Sequence, residues 1–140
     1  MNYRDVTDDE SRRILVAART DIGKGYEEIG MCSGFVCKAI RTVNVHCPTN
    51  GSVSTLTGNK NLLRRLLEEE SPRAGDVMVF KDTHVGFYDP LPPKGVSQIY
   101  KFLSARGSPG RKNNAGVSYG DPTWFNPLPP FYMRAMVIAG

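Results

Sequence analysis

The sequence predicts an α+β fold in which N-terminal helices pack on one side of an antiparallel sheet. Two segments with apolar residues at helical three-and-four spacing come first, at 7–20 and 32–43. After Pro72 the pattern changes to short apolar runs separated by turn residues, which is typical of strands. Helices followed by a meander of strands favour a two-layer arrangement. At 140 residues, the chain is predicted to form a single domain, 1–140.

The charges are spread along the chain rather than concentrated in one stretch. The net charge is +4, and the basic pairs lie beside acidic residues or in predicted loops: Arg12-Arg13, Arg64-Arg65 and Arg111-Lys112. A nucleic-acid interface needs such charges clustered on one face, so no nucleic-acid partner is expected. No apolar run reaches the roughly 20 residues of a membrane span, so no membrane partner is expected either.

The first ten residues and the cysteine pattern bear on where the protein works. The N-terminus is acidic and no apolar run follows it, so no signal peptide is predicted. We expect the protein either to act in the cytoplasm or to leave the cell by a route that needs no Sec signal. The three cysteines form no Cys-x-x-Cys pair, and neither His46 nor His84 completes a zinc-ligand spacing. No metal and no cofactor is therefore predicted.

The helices are predicted from their start signals and apolar faces. Thr7 and Glu10 have the spacing of a capping box, which begins a first helix that runs to about Thr20. The second helix runs from Cys32 to about Val43. Pro-, Asn-, Ser- and Thr-rich residues predict a loop over 45–58, and four leucines predict a third helix over 59–70, stopped by Pro72.

The second half of the chain predicts the sheet. The runs 76–80 and 84–88 are separated by three turn residues and predict a β-hairpin. A third strand is predicted over 98–104 and a last strand over 131–139. Between them, Ala105 to Pro130 is rich in Gly, Pro and Asn, and predicts a long loop.

Three residues suggest nucleophilic chemistry. Cys32 begins a helix, where unpaired N–H groups and the helix dipole lower the pKa of a thiol. His84 begins a strand just after a turn, so its imidazole is expected at an end of the sheet. Ser104 ends the next predicted strand, where a group that orients the imidazole should lie. A thiol, a histidine and a third polar group are the parts of a catalytic triad for acyl transfer.

Three blocks of this sequence resemble the NlpC-type cell-wall cysteine peptidases, which have a papain-like fold. Cys32-Ser33-Gly34-Phe35-Val36 resembles their nucleophile motif, residues 72–80 resemble their Pro-Gly-Asp strand, and His84-Val85-Gly86-Phe87-Tyr88 resembles the strand with the catalytic histidine. The blocks occur in the family's order over about residues 30 to 105. The resemblance implies that Cys32 is the nucleophile and His84 the general base. It also implies hydrolysis of an amide bond in a peptidoglycan stem peptide, commonly between D-glutamate and diaminopimelate.

The chain departs from this family's pattern at two positions. The family usually has Asp before the cysteine, where this chain has Met31. The third catalytic group is usually His, Asn or Gln, whereas the local pattern here places Ser104 at that point. A serine can accept a hydrogen bond from an imidazole N–H but stabilises an imidazolium less than a carboxylate does. A backbone carbonyl is the alternative to Ser104.

A second resemblance is to the amidase effectors of type VI secretion, which are small relatives of the same enzymes. It implies an antibacterial toxin that is injected into the periplasm of a rival cell without a signal peptide. It also implies a cognate immunity protein that covers the active site. Three alternatives stay open: a phage or housekeeping wall lysin, a catalytically inactive module that binds the wall or captures an inhibitor, and a cytoplasmic thiol hydrolase or transferase of the same fold.

Two further features have structural interpretations. Cys37 is predicted to be structural, either facing the core or pairing with Cys47. Trp124 and Phe125 lie among prolines and predict a loop held by aromatic packing more than a substrate groove.

Overall fold

The computed structural model describes residues 2–48, 51–107 and 116–139, and its architecture is α+β. Three helices and an antiparallel sheet are formed, which confirms the predicted class. The helices are α1 (Asp8–Arg19), α2 (Met31–Ile40) and α3 (Val53–Thr57). The strands are β1 (Tyr3–Asp5), β2 (Leu63–Arg65), β3 (Val77–Phe80), β4 (His84–Tyr88), β5 (Phe102–Arg106), β6 (Gly116–Gly120) and β7 (Phe131–Ile138).

The sheet is ordered β1-β7-β3-β4-β5-β6, and every pairing in it is antiparallel. β2 pairs with β7 outside this order. Met133 in β7 is opposite both Arg65 of β2 and Val77 of β3, so these two strands flank β7 on opposite edges. The predicted hairpin is formed by β3 and β4, in which Phe80 pairs with His84. The last predicted strand is present as β7.

The first helix begins as the sequence predicts. The N–H of Glu10 donates to Thr7 Oγ1 at 3.1 Å, and the N–H of Thr7 donates to Glu10 Oε1 at 2.8 Å, which completes the capping box. Arg4 also pairs with Glu10 at 2.6 Å. The hydrogen bond from Arg4 is the main reason why the pKa of Glu10 falls to about 2.

The two faces of the sheet have different coverings. Helix α2 packs on the first face, where its buried Phe35 meets Phe87 of β4 with ring centroids 5.7 Å apart. The second face has a smaller apolar cluster of Met78, Phe80 and Phe102, against which Phe125 packs. Because neighbouring residues of a strand point to opposite faces, Val85 and Phe87 face α2 whereas His84 and Gly86 do not.

The predicted third helix over 59–70 is wrong. Residues 63–65 form β2 instead, and the N–H of Leu66 donates to the carbonyl of Tyr132 in β7. The leucine stripe does not form one helical face, because Leu62 and Leu63 are buried while Leu67 is 59% exposed. The short helix α3 lies earlier, inside the predicted loop, where the Ser52 hydroxyl accepts from the N–H of Thr55 and caps it.

The predicted long loop over 105–130 is also wrong. β6 lies within it and pairs along the whole of β5, from Phe102 opposite Gly120 to Arg106 opposite Gly116. The third strand accordingly spans Phe102–Arg106 rather than 98–104. β1 is a further strand that the sequence did not predict. Arg111 and Lys112, expected on the solvated surface, lie outside the described residues.

The block that resembles the family's Pro-Gly-Asp strand has a buried ion pair. Asp76 precedes β3 and is fully buried, and its carboxylate accepts from Arg134 Nε at 2.9 Å and from Arg134 Nη2 at 2.8 Å. The same carboxylate accepts from the N–H of Arg73 at 2.8 Å. This bidentate pair joins the start of the hairpin to β7. None of the helices in the described ranges is long and apolar enough to cross a membrane.

Candidate active site

The start of helix α2 has an unusual backbone. Gly30 has a φ of 85° and Met31 a φ of 65°, both in the left-handed region. Such a φ costs a non-glycine residue roughly 1–2 kcal/mol, and Asp or Asn tolerates it better than other side chains. The family's Asp would therefore suit this backbone better than Met31 does. The N–H of Met31 donates to the carbonyl of Tyr26 at 2.8 Å, and the Ser33 hydroxyl donates to the carbonyl of Gly51 at 2.6 Å.

The Cys32 thiol lies among backbone N–H groups. Its sulfur faces the N–H groups of Cys32 and Ser33 at the helix start, and the N–H of Val85 in β4. These three groups lower the pKa of the thiol, but burial raises it by more, because the side chain is only 6% exposed. The lowering expected at the helix start is present but is outweighed by burial, and the net pKa is raised. The resting thiol is protonated at neutral pH.

The His84 imidazole is held on the other face of the sheet. Its Nε2 lies 2.9 Å from the Oγ of Ser104, a residue that is 1% exposed. The ring stacks on Phe125 with centroids 4.6 Å apart and planes 4° apart, and it meets the edge of Phe102. Burial, and secondarily the charge of Arg106, lowers the pKa of His84 to about 4. The imidazole is therefore neutral at neutral pH.

The thiol and the imidazole lie on opposite sides of the β4 backbone. The Cys32 sulfur reaches the N–H of Val85 from the α2 side, and His84 is the preceding residue. Within the described ranges, the one hydrogen-bond partner of the imidazole is Ser104, so no hydrogen bond joins Cys32 and His84. Among the described residues, no hydrogen bond involves Nδ1 of His84. The structure thus brings His84 to Ser104 directly, and Cys32 to the adjacent backbone.

Gly86 allows β4 and β5 to come close beside this site. A Cβ atom on Gly86 would lie 2.6 Å from the carbonyl oxygen of Leu103 and 2.7 Å from the Cβ of Ser104. Both distances are shorter than any normal contact. The absence of a side chain at Gly86 therefore lets Ser104 sit next to the His84 strand.

Tyr26 is a candidate site residue that the sequence analysis missed. Its hydroxyl faces the Cys32 sulfur and the Cys32 N–H, so that burial and then Cys32 raise the pKa of Tyr26 while the N–H lowers it. The Tyr26 ring packs against Gly107, where any Cβ would overlap it. No local motif marks this tyrosine, since it lies six residues before Cys32 in a glycine-containing connection.

Cys37 and Cys47 lie together, away from the Cys32 sulfur. All three cysteines are free and buried. The hydrogen bond with Cys37, and then burial, raises the pKa of Cys47. Of the two predicted alternatives for Cys37, facing the core or forming a disulfide with Cys47, the structure has the first. Among the described residues, no three His, Cys, Asp or Glu side chains gather as metal ligands would.

Comparisons with known proteins give no relative: no protein family, curated protein or solved structure matches the chain. The three sequence blocks are the basis of the NlpC-like resemblance.

Proposed function

We propose that the protein is a cysteine amidase of the NlpC-like, papain-related type. Its substrate is a peptidoglycan stem peptide, and the bond is the amide between D-glutamate and diaminopimelate. One observation carries the proposal: the Cys32 sulfur, at a helix start, faces the N–H of the residue that follows His84. A nucleophile and a base on adjacent elements are what thiol acyl transfer requires.

In this proposal, the hydrogen bond with Ser104 determines the tautomer of His84, which is the general base. We assign the imidazole tautomer in which Nε2–H donates to the Ser104 hydroxyl, so that Nδ1 has a free lone pair. The low pKa of His84 keeps this tautomer uncharged at neutral pH, so the Nδ1 lone pair is unprotonated. The thiol and the imidazole lie on opposite faces of the sheet, so this proposal requires the start of β4 to shift when substrate binds and to bring Nδ1 of His84 to the Cys32 sulfur.

The reaction then follows in two halves. Nδ1 of His84 takes the proton of Cys32, and the thiolate attacks the carbonyl carbon of the amide. The N–H of Cys32 and the hydroxyl of Tyr26 hold the oxyanion, and each such donor typically contributes about 3 kcal/mol. The imidazolium gives its proton to the leaving amine as the C–N bond breaks, which leaves a thioester on Cys32. Water, deprotonated by His84, hydrolyses the thioester.

The test compares two thiols of the same helix. Purified sacculi are digested with wild type, Cys32→Ala and the matched control Cys37→Ala, and the soluble products are identified by mass spectrometry. Wild type and Cys37→Ala should release stem-peptide fragments, while Cys32→Ala should lose at least about a thousandfold in rate because the nucleophile is gone. Circular dichroism checks that each variant is folded.

Two results would contradict the proposal. Fragment release by Cys32→Ala at the wild-type rate would show that another group is the nucleophile. No release by folded wild type would instead favour an inactive wall-binding module. The masses of the products also identify the scissile bond.

The proposed biological role is that of an interbacterial toxin delivered to the periplasm, with a cognate immunity protein as its partner. Expression with a periplasmic leader should stop growth, and expression without one should not, because peptidoglycan lies outside the inner membrane. Equal toxicity in the cytoplasm would favour a thiol hydrolase that acts on another amide. Purification of a small periplasmic inhibitor bound to the protein would separate a toxin from a lysin.

A further inference from the structure

Arg106 lies close to the base, on the same face of the sheet. It is two residues after Ser104 in β5, so both side chains point to the face on which His84 lies. The Arg106 charge lowers the pKa of His84, which places the guanidinium within electrostatic range of the imidazole. Arg106 is half-buried, and the centre of its guanidinium lies 5.2 Å from the Trp124 ring.

The hydrogen-bonding capacity of Arg106 is largely unused. A guanidinium has five N–H donors. Nη2 of Arg106 donates to the Ser118 hydroxyl at 2.8 Å, and no other hydrogen bond from this side chain is formed to the described residues. Its Nε is buried and has no partner there either. The aromatic face of Trp124 holds the guanidinium in place without neutralising it.

Other arginines of this protein are paired with carboxylates. Arg19 pairs with Asp89, and Arg64 with Asp5 and Glu70. The pKa of each of these guanidinium groups is raised, whereas burial lowers the pKa of Arg106. All fourteen Asp and Glu side chains belong to the described residues, and none lies within 4 Å of the Arg106 guanidinium.

A half-buried guanidinium without a counter-ion is costly, because burial removes hydration that nothing replaces. The cost is recovered when an anion binds. A carboxylate suits the site best, since its two oxygens match the planar fork of a guanidinium. Inorganic counter-ions could screen the charge but would not use that fork.

We propose that Arg106 binds a carboxylate of the substrate next to the scissile amide, and so selects acidic stem peptides over amidated ones. This inference rests on the proposed function. A stem peptide has two such groups, the α-carboxylate of the γ-linked glutamyl residue and the free carboxylate of diaminopimelate. Arg106 is a specificity-determining residue in this scheme and takes no part in proton transfer.

The experiment measures kcat/KM on three synthetic stem peptides: one with both carboxylates free, one with the glutamyl α-carboxylate amidated, and one with the diaminopimelyl carboxylate amidated. Wild type should prefer the free peptide to one of the amidated peptides by about tenfold or more, the typical effect of a charge-assisted hydrogen bond. The amidated peptide with the lower kcat/KM identifies the carboxylate that Arg106 binds. Arg106→Gln should reduce the preference to near one. Arg65→Gln is the matched control. Arg65 also stacks on an aromatic ring, that of Phe131, but it belongs to β2 and not to the strand of Ser104, so this variant should keep the preference.

The outcomes separate the two claims. Wild type active on all three peptides at equal rates would overturn the role of Arg106 alone, while no activity on any of them would overturn the proposed function. A purely structural role would lower the rates of Arg106→Gln on all three peptides and leave the wild-type ratio unchanged, which would also overturn the inference. If Arg106→Gln does not fold, Arg106→Lys keeps the charge without the fork and should show a reduced ratio.

Discussion

Lowering the pH from about 7.5 to about 5 is expected to destabilise the fold through His84. The pKa of this imidazole is about 4 in the folded protein and about 6.5 in an unfolded chain. The unfolded chain therefore binds more protons between these values, and the stabilisation that is present above about pH 6.5 is lost as the pH falls toward 4. At about pH 5 the unfolded imidazole is mostly protonated and the folded one is mostly not, which corresponds to a loss of about 2 kcal/mol.

The assay is urea unfolding of wild type and His84→Gln at both pH values. Glutamine keeps an amide that can bond to Ser104 but does not titrate, so it removes this contribution alone. The paired carboxylates of Glu10 and Glu70 have pKa values of about 2 and stay ionised at both pH values. The difference between the two pH values should be about 2 kcal/mol larger for wild type than for the variant.

Equal losses for wild type and His84→Gln would refute this reasoning. They would show that the imidazole accepts a proton in the folded state without penalty, and therefore that the stack on Phe125 does not exclude water. The low pKa of His84 would then have no physical cause.

Two further substitutions probe the neighbourhood of the site. Gly86→Ala should destabilise the fold by about 1–3 kcal/mol in urea unfolding, because its Cβ would overlap Leu103 and Ser104. Gly25→Ala is the control, since a Cβ has room there and should not destabilise the fold. Equal stability of the two variants would contradict the close approach of β4 and β5. Tyr26→Phe should lower kcat about a hundredfold with little change in thermal stability, since the ring remains and an oxyanion donor is lost, and an unchanged kcat would remove Tyr26 from the mechanism.

The elements that the sequence predicts well are those with local signals. The capping box of Thr7 and Glu10 contains its own partners, and the hairpin 77–88 consists of two short apolar runs around a three-residue turn. β6 has no such signal: two glycines bound it, and it exists because β5 supplies hydrogen bonds along its length. The leucines of 62–67 fit a helix as well as a strand, and pairing with β7 decides between them.

In the candidate site too, the sequence indicates residues with local signals and misses those that depend on distant contacts. Cys32 and His84 stand at element starts that sequence patterns can indicate, whereas Ser104, predicted to end its strand, lies in the middle of β5. The pKa of Cys32 could not be predicted, because the helix start and burial act in opposite directions and only the packed structure shows which is larger. Tyr26 and Arg106 were missed because what distinguishes them is contact with distant residues, which no spacing encodes.

The burial of the cysteines also has a consequence for their chemical lifetime. Oxidation by peroxide starts from an accessible thiolate and gives a sulfenic acid. Cys32, Cys37 and Cys47 are 6%, 4% and 2% exposed, and burial keeps Cys32 protonated. We expect all three to resist peroxide better than surface thiols do. In the proposed mechanism, Cys32 would thus be kept in a form that resists oxidation until a substrate draws its proton to His84.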